Sequence, residues 1–314
     1  MLRLKLNEFA EDGQLQISPP KEGEDQMFHH ILFPVDFSER CKQAAPFVKA
    51  FAKHYCAKVT LIHVIQIPTG WYGGVDGAYP IMFDVEEMER DARRELINFY
   101  TGANGSEPKM DVAETVIEGE PGSAIVQYAE QAGVDLVMMP THGYGKFRRF
   151  LLGSVTARVL HDAHCPVWTA AHAEEGWESS PECRQILCAV DGSERSLPVI
   201  RDAVMLGCEL TAKVRLVHAI PFLDSDMTVH IPEGARFFID SARRSIQELQ
   251  RKAGTNLELC LDAGNVSDVV RKAAIHHEAD LVVTGRGKIH ERFGGLRTNV
   301  YAIIRDSPCP VLSA

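Results

Sequence analysis

The chain contains two copies of one sequence pattern, and this internal repeat constrains its fold more than any other feature. ILFPVDFSER at 31–40 returns as ILCAVDGSER at 186–195, and AKVTLIHVI at 57–65 returns as AKVRLVHAI at 212–220. Both matches are shifted by 155 residues, which indicates duplication of a whole structural unit. Later matches have offsets of 145 and 144 residues, so the second copy has lost loop residues and kept its elements.

The repeat predicts two domains, at residues 28–172 and 184–314. The linker at 173–183 is polar, lacks any period and contains glycine and proline. Residues 1–27 are also polar and aperiodic, and form an N-terminal extension that is either an arm over a partner or disordered.

Short apolar runs alternate with amphipathic helical patterns in each copy, which predicts an α/β fold. Continuous apolarity is typical of strands covered on both faces, and therefore of a parallel sheet between helices. The doubly wound, Rossmann-like arrangement places ligands at the carboxyl ends of the strands. The predicted strands of the first copy are 31–35, 59–65, 114–117, 136–139 and 167–170.

Polar residues mark the predicted helix starts. Ser38 leads into the first helix, and Asp84 with Glu87 forms a capping-box pattern for the second. Ser154 either caps the last helix of the first copy or turns its hydroxyl to a phosphate. Pro46 lies within the first helical pattern, where it either kinks the helix or delays its start.

Composition describes an ordinary globular protein of 314 residues, 45% of them hydrophobic. No apolar run approaches the roughly 18 residues of a membrane span. The N-terminal residues lack the apolar centre of a signal peptide. We therefore expect a cytoplasmic protein with no membrane partner.

Cysteine spacing and net charge argue against two further classes. The eight cysteines include no CxxC pair and no Cys/His ligand cluster, so no metal site is predicted. A net charge of −10 argues against binding to nucleic acid, which normally needs a basic surface.

A glycine-spaced segment in the first copy is the main candidate for ligand binding. Gly143 is followed by nine residues and then by Gly153 and Ser154, after an apolar strand and before a helix. Phosphate needs converging N–H donors and little side-chain bulk, which glycines at a helix N-terminus provide. The alternative is that these glycines only form turns.

Asp36 and Asp191 lie just past the first strand of each copy. A carboxylate there can accept hydrogen bonds from a ribose or from the amino group of a base. A role as a cap or turn residue is the alternative.

These segments resemble the universal stress protein family of the UspA type. The resemblance is carried by VDFS and VDGS after the first strands, LIHV and LVHA in the second strands, and the PTHG…GSVT…CPV ending. It implies two tandem five-stranded domains of the adenine nucleotide alpha hydrolase-like fold. It also implies ATP or AMP as ligand, with or without Mg. In the first domain it assigns nucleotide contacts to Pro34, Val35, Asp36, Val64, Pro140, His142, Gly143, Gly153, Ser154 and Val155.

The two copies depart from the family pattern in different ways. Pro140 stands at the family's first glycine and removes a backbone donor. In the second copy Arg297 replaces the close-approach glycine, and its guanidinium either fills the phosphate space or binds a phosphate bidentately. The first domain is therefore expected to be the main binding site. The second-site candidates are Asp191, Ala219, Gly285, Gly287, Arg297 and Thr298.

Three functions follow from this comparison. The first is a stress-response protein that binds an adenine nucleotide as a regulatory ligand. The second is a nucleotide-independent interaction scaffold of the same fold. The third is a slow ATP hydrolase, or a protein that phosphorylates itself on Ser154 or Thr156. No phosphoryl-transfer or hydrolytic motif is present, so no catalytic residue is assigned.

Pairing of the domains is expected from the family. The two domains are predicted to pack about a pseudo-twofold axis through their final strands, and two chains to form a homodimer. The glycine-rich, aromatic segment at 65–83 is either a lid or partner surface, or a plain connector.

Overall fold

A computed structural model describes residues 26–67, 84–101, 111–142, 152–170, 182–220, 233–286 and 295–314. The chain divides into two compact units, one with described residues 28–169 and the other consisting chiefly of residues 182–314. No helix in these ranges is long and apolar enough to cross a membrane.

The first domain alternates five strands with four helices in its described part. Its sheet has the order β3-β2-β1-β4-β5, with parallel pairing of β1 to β2 and β4 and of β2 to β3. The elements are β1 (His30–Pro34), α1 (Glu39–Tyr55), β2 (Lys58–Ile65), α2 (Val85–Thr101), β3 (Val112–Glu118), α3 (Pro121–Gln131), β4 (Leu136–Pro140), α4 (Ser154–Asp162) and β5 (Val167–Ala170).

The second domain repeats this arrangement. Its strands follow the order β8-β7-β6-β9-β10, and each neighbouring pair is parallel. The elements are β6 (Gln185–Ala189), α5 (Ser196–Glu209), β7 (Lys213–Ile220), α6 (Glu233–Ala253), β8 (Glu258–Ala263), α7 (Val266–His276), β9 (Leu281–Thr284), α8 (Gly295–Asp306) and β10 (Val311–Ser313).

The central strands form the core of each domain. Leu32 in β1 and Val137 in β4 are completely buried, as is Cys188 in β6. Successive strand residues point to opposite faces, so burial along the whole strand requires cover on both faces. The apolar runs of the sequence are continuous because these strands are covered on both faces. The predicted doubly wound α/β fold is confirmed.

Strand order reverses beside the first strand of each domain. In the first domain β2 and β3 lie on one side of β1, and the chain then crosses to place β4 on the other side. In the second domain β7 and β8 lie on one side of β6, and β9 lies on the other. Because consecutive crossovers leave in opposite directions there, the carboxyl ends of these two strands border a crevice.

The predicted helix starts are confirmed within one residue, and only the capping role suggested for Ser154 is wrong. Ser38 caps α1 by accepting a 3.3 Å hydrogen bond from the Cys41 N–H, and Asp84 accepts a 3.0 Å bond from the Glu87 N–H. Pro46 lies inside α1 and does not delay its start. Ser154 is not a cap, because Gly153 holds the N-cap position of α4 without any side-chain cap bond.

Candidate functional site

A cavity of about 260 Å³ lies at the reversal point of the second domain. Asp191, Ala219 and Gly285, which the sequence proposed as parts of a second site, line it together. The other lining residues come from the end of β6 and the start of α5, and from β7, α7, β9 and α8. They are Ala189, Val190, Arg195, Ser196, Val199, Val217, His218, Val266, Val270, Thr284, Asn299, Val300 and Ile303.

The cavity wall is largely aliphatic, with polar groups from a few residues. Val199, Val270 and Ile303 supply apolar surface from three different helices, and each is at most 7% exposed. Asp191 and Arg195 add one charge of each sign. An apolar enclosure with a few placed polar groups is typical of sites for small organic ligands.

The carboxylate of Asp191 is held in place by one of its two oxygens. Oδ1 accepts hydrogen bonds from the Ser193 N–H at 2.9 Å and from the hydroxyls of Ser193 and Ser196, both at 2.7 Å. Burial opposes ionisation, but these bonds and the charge of Arg195 outweigh it, and the pKa of Asp191 lies below its ordinary value. Oδ2 has no hydrogen-bond partner within the described residues, so it can accept bonds from a ligand.

His218 presents its ring to the same cavity. Its Nδ1 lies 2.8 Å from the Val190 carbonyl oxygen, which can only accept, so Nδ1 carries the proton. In this tautomer the lone pair is on Nε2. The recurrence of this histidine in both copies reflects the bond, because His63 Nδ1 donates to the Val35 carbonyl at the same distance.

Gly285 allows β9 to end close to α5. A Cβ atom at this position would lie 2.9 Å from Cγ2 of Val199, which is too close for any side chain without a shift. The glycine therefore has a packing reason that is independent of phosphate.

The corresponding carboxylate of the first domain has a different partner. Oδ1 of Asp36 accepts a 3.0 Å bond from the Ser38 N–H and a second, also 3.0 Å, from the Cys41 thiol. Cys41 occupies the position of Ser196, 155 residues earlier. Burial, and then the negative charge of Asp36, raise the pKa of Cys41 to about 12. The thiol therefore remains a protonated donor at neutral pH.

Phe37 distinguishes the first domain from the second. It adopts a left-handed backbone with φ of 62°, at the position where the second domain has Gly192 with φ of 78°. Its ring centroid lies 4.7 Å from that of His63. The phenylalanine therefore packs on the histidine, whereas His218 lines an open cavity.

Two hydrogen bonds connect the end of β4 with the start of α4. The Gly153 N–H donates to the Thr141 carbonyl at 2.9 Å, and the Thr156 hydroxyl donates to the Pro140 carbonyl at 3.1 Å. A Cβ atom on Gly153 would lie 3.0 Å from the Thr141 oxygen. The donors left for a phosphate are therefore the N–H groups of Ser154, Val155 and Thr156, which have no acceptor within the described part of the chain.

The remaining predicted residues of the first site lie near this crevice or outside the described ranges. Pro34 ends β1, and the Val35 N–H donates to the Ile62 carbonyl beside it. Val64 lies near the end of β2, and Nδ1 of His142 is 3.1 Å from the Thr141 hydroxyl. Gly143 lies outside the described residues, as does most of the segment at 65–83.

The phosphate region of the second domain is described only in part. Gly287 lies outside the described residues. Arg297 and Thr298 lie in the first turn of α8, but their side chains are not described, so both roles predicted for the guanidinium stay open.

One hydroxyl proposed for self-phosphorylation is inaccessible. Thr156 is 2% exposed and its hydroxyl is already donated to Pro140. Ser154 is exposed at the first position of α4.

Several cavity residues were missed by the sequence argument. Arg195 stands in the repeated SER segment, but nothing there separates a ligand contact from a solvated charge. Val270 and Ile303 carry only the helical period of any buried face. Their common cavity appears only when α7 and α8 pack together.

The sequence also did not predict a contact between a cysteine and a histidine. Cys260 Sγ lies 3.1 Å from Nε2 of His277, although the two are 17 residues apart. Sequence spacing gives no sign of this pair, because β8 and the end of α7 bring the two residues together only in the fold, and the expectation of no metal site stays a prediction.

The fold defines a pair of doubly wound domains, and the cavity lies at the reversal point of the second one. A solved universal stress protein from Archaeoglobus fulgidus superposes with a TM-score of 0.63 and 20% identity, over 91% of this chain and 95% of its own. A Pseudomonas aeruginosa protein of unknown function superposes with a TM-score of 0.59 and 15% identity, over 91% and 92%. At these identities the likeness concerns the fold alone.

The family follows from the sequence match. The model of the universal stress protein family matches residues 27–170 and 182–313. The chain belongs to this family, with two tandem domains. Two universal stress proteins of Methanocaldococcus jannaschii are 31% and 29% identical to it, over 45% and 46% of this chain and 93% and 82% of theirs. Each relative thus corresponds in length to about one domain.

Proposed function

We propose that this universal stress protein binds an adenine nucleotide as a regulatory ligand. The observation that carries the proposal is the second-domain cavity, in which an apolar wall meets an ionised carboxylate with an unused oxygen. The purine would pack between aliphatic side chains of α5, α7 and α8. The ribose hydroxyls would donate to Oδ2 of Asp191.

The size of the cavity supports a base and a sugar more than a whole nucleotide. Its volume is about 260 Å³, below the roughly 300 Å³ at the lower end of ordinary ligand sites. The phosphates would extend past Gly285 towards the N-terminus of α8, where the helix dipole favours anions. Arg195 at the edge of the cavity adds a positive charge.

The first domain is the second candidate site for the same ligand. The N–H groups of Ser154 and Val155 at the start of α4 favour a phosphate there. Asp36 stands at the position of Asp191, 155 residues earlier. The expectation that the first domain binds more strongly stays a prediction, as does the pairing of domains and chains.

Binding, more than catalysis, fits the groups at the cavity. Nδ1 of His218 is engaged by the Val190 carbonyl, and the Ser196 hydroxyl donates to Asp191. Among the described residues no histidine hydrogen-bonds that hydroxyl, so the Ser–His pair of a nucleophilic site is not formed here.

A pair of matched variants assigns the ligand to a domain. Calorimetric titration of the full chain with ATP and with AMP should show binding, and Asp191→Asn should weaken the second-domain site about tenfold or more, because a ribose acceptor and a charge are lost. Asp36→Asn is the matched change in the first domain. If only Asp36→Asn weakens binding, the first domain carries the function.

Absence of the ligand would overturn the proposal. Mass spectrometry of small molecules released from gently purified protein should detect an adenine nucleotide. If none is released and millimolar ATP and AMP give no heat of binding, the proposal fails. The hypothesis of a nucleotide-independent interaction scaffold then replaces it.

A further inference from the structure

A carboxylate, a thiol and an imidazole meet on the second domain, and none of the three residues lines the cavity. Glu258 and Cys260 are two residues apart on β8, so their side chains point to the same face of the strand. His277 follows directly after α7. One ligand atom from each of the three residues lies within 4.8 Å of the other two.

We propose that Glu258, Cys260 and His277 form a binding site for one Zn²⁺ ion. Thiolate, imidazole and carboxylate are ligand types that zinc takes, and three protein ligands with one water complete a four-coordinate site. In a tetrahedral site the sulfur and nitrogen ligands lie about 3.6 Å apart. Sγ and Nε2 are 3.1 Å apart here, so small side-chain rotations admit the ion.

The site is accessible from solvent. β8 is the last strand of the sheet order in its domain, and Glu258 is exposed, whereas Cys260 and His277 are half-buried. An ion can therefore reach the two inner ligands past the carboxylate, and the fourth position remains for water.

Filling the site releases a proton. The Cys260 sulfur and the His277 ring already contact each other at 3.1 Å. Binding of the ion converts the Cys260 S–H to a zinc-bound thiolate and releases H⁺ to water.

Two positively charged side chains contact Glu258 and repel a metal ion bound there. Removal of one of them therefore tests the site. Lys213 Nζ and Arg215 Nε lie 3.0 Å and 2.8 Å from Oε2 of Glu258. Oε1 has no hydrogen-bond partner among the described residues, so it is the oxygen offered to the metal. The Lys213 side chain is 55% exposed and can turn into solvent, whereas that of Arg215 is 14% exposed.

Cobalt binding to the metal-free full chain tests the site. Co²⁺ should bind at one equivalent with a thiolate-to-cobalt charge-transfer band and the intense visible bands of tetrahedral coordination, and Zn²⁺ should remove both. Cys260→Ser should abolish the charge-transfer band. His277→Ala should weaken binding about tenfold or more, as loss of one ligand requires.

Two further variants separate this site from other thiols and from simple charge effects. Cys56→Ser removes an exposed thiol of the first domain and should leave the spectrum unchanged. Lys213→Ala should tighten binding severalfold, because a cation beside the carboxylate is removed.

Two results would overturn the proposal. One is the absence of a charge-transfer band in the wild type at stoichiometric Co²⁺, and the other is persistence of the band in Cys260→Ser. Circular dichroism checks that each variant is folded, and if Cys260→Ser is not, the His277→Ala titration decides. None of these readouts depends on a nucleotide.

Discussion

The ring of Phe37 lies 4.7 Å from that of His63, centroid to centroid, with the planes tilted by 36°. The second domain has Gly192 and His218 at the same two positions, 155 residues later. Both turns have a left-handed backbone, so the chain path is shared and the side chain alone differs. A phenylalanine covers the histidine in one domain, and a glycine leaves it facing a cavity in the other.

Gly192→Phe should close the second-domain cavity by copying this arrangement. The ring is expected to cover His218 and lower the affinity of a ligand bound there about tenfold or more. Strain at positive φ should cost about 1–2 kcal/mol of unfolding free energy. Calorimetric titration and urea denaturation measure the two effects.

Gly192→Ala is the matched control for that variant. It carries the same backbone strain without the ring, so it should lose stability and keep its affinity. Equal loss of affinity in both variants would show that the backbone, and not the ring, controls the site.

Asp191 should make the stability of the second domain depend on acid pH. Its folded pKa lies below the ordinary value of about 3.9. The stabilisation is therefore fully present above that value and is lost as the pH falls through the folded pKa. Urea denaturation should show a larger difference between wild type and Asp191→Asn at pH 7 than at pH 3. Asp240→Asn, an exposed carboxylate on α6, is the control, and an equal difference at both pH values would contradict the prediction.

Gly153→Ala should destabilise the first domain. The new Cβ would lie 3.0 Å from the Thr141 carbonyl oxygen, and the shift needed to relieve this contact should cost about 1–3 kcal/mol. Ser154→Ala, at the next position, should change stability by less than about 0.5 kcal/mol, because its hydroxyl caps nothing. Thermal or urea denaturation compares them, and a large loss in Ser154→Ala would restore its capping role.

Cys41 should be unreactive in the folded protein. Burial, and then the charge of Asp36, raise its pKa to about 12, so almost no thiolate exists at pH 8. Iodoacetamide labelling followed by peptide mass spectrometry should modify the exposed Cys56 and leave Cys41 intact. Unfolding in urea should expose Cys41 to the reagent, and rapid labelling before unfolding would show that the thiol is accessible.

The fold was predictable because its causes are periodic and local. The apolar run at 31–35 matches β1 within one residue, since a strand covered on both faces needs apolar residues at every position. Ser38 and Asp84 mark helix starts because a short polar side chain satisfies the first N–H groups. Helix α4 begins at Ser154 as predicted, but Ser154 is not its cap, because the N-cap position falls on Gly153, which has no side chain.

The candidate site was predictable only in part. Asp191, Ala219 and Gly285 were proposed from the repeat and from the family resemblance, and they meet at one cavity. Val270 and Ile303 could not be separated from ordinary core residues, because a buried helix face has the same pattern whether it contacts a side chain or a ligand.

The sequence by itself determined the duplication, the doubly wound domains and the family, since each depends on order along the chain. Tertiary structure alone decided which side chains share a space. It placed Cys260 beside His277 and set a cavity beside His218. The physical reason is that contacts between distant residues depend on how elements pack, and packing leaves no periodic signal in either segment.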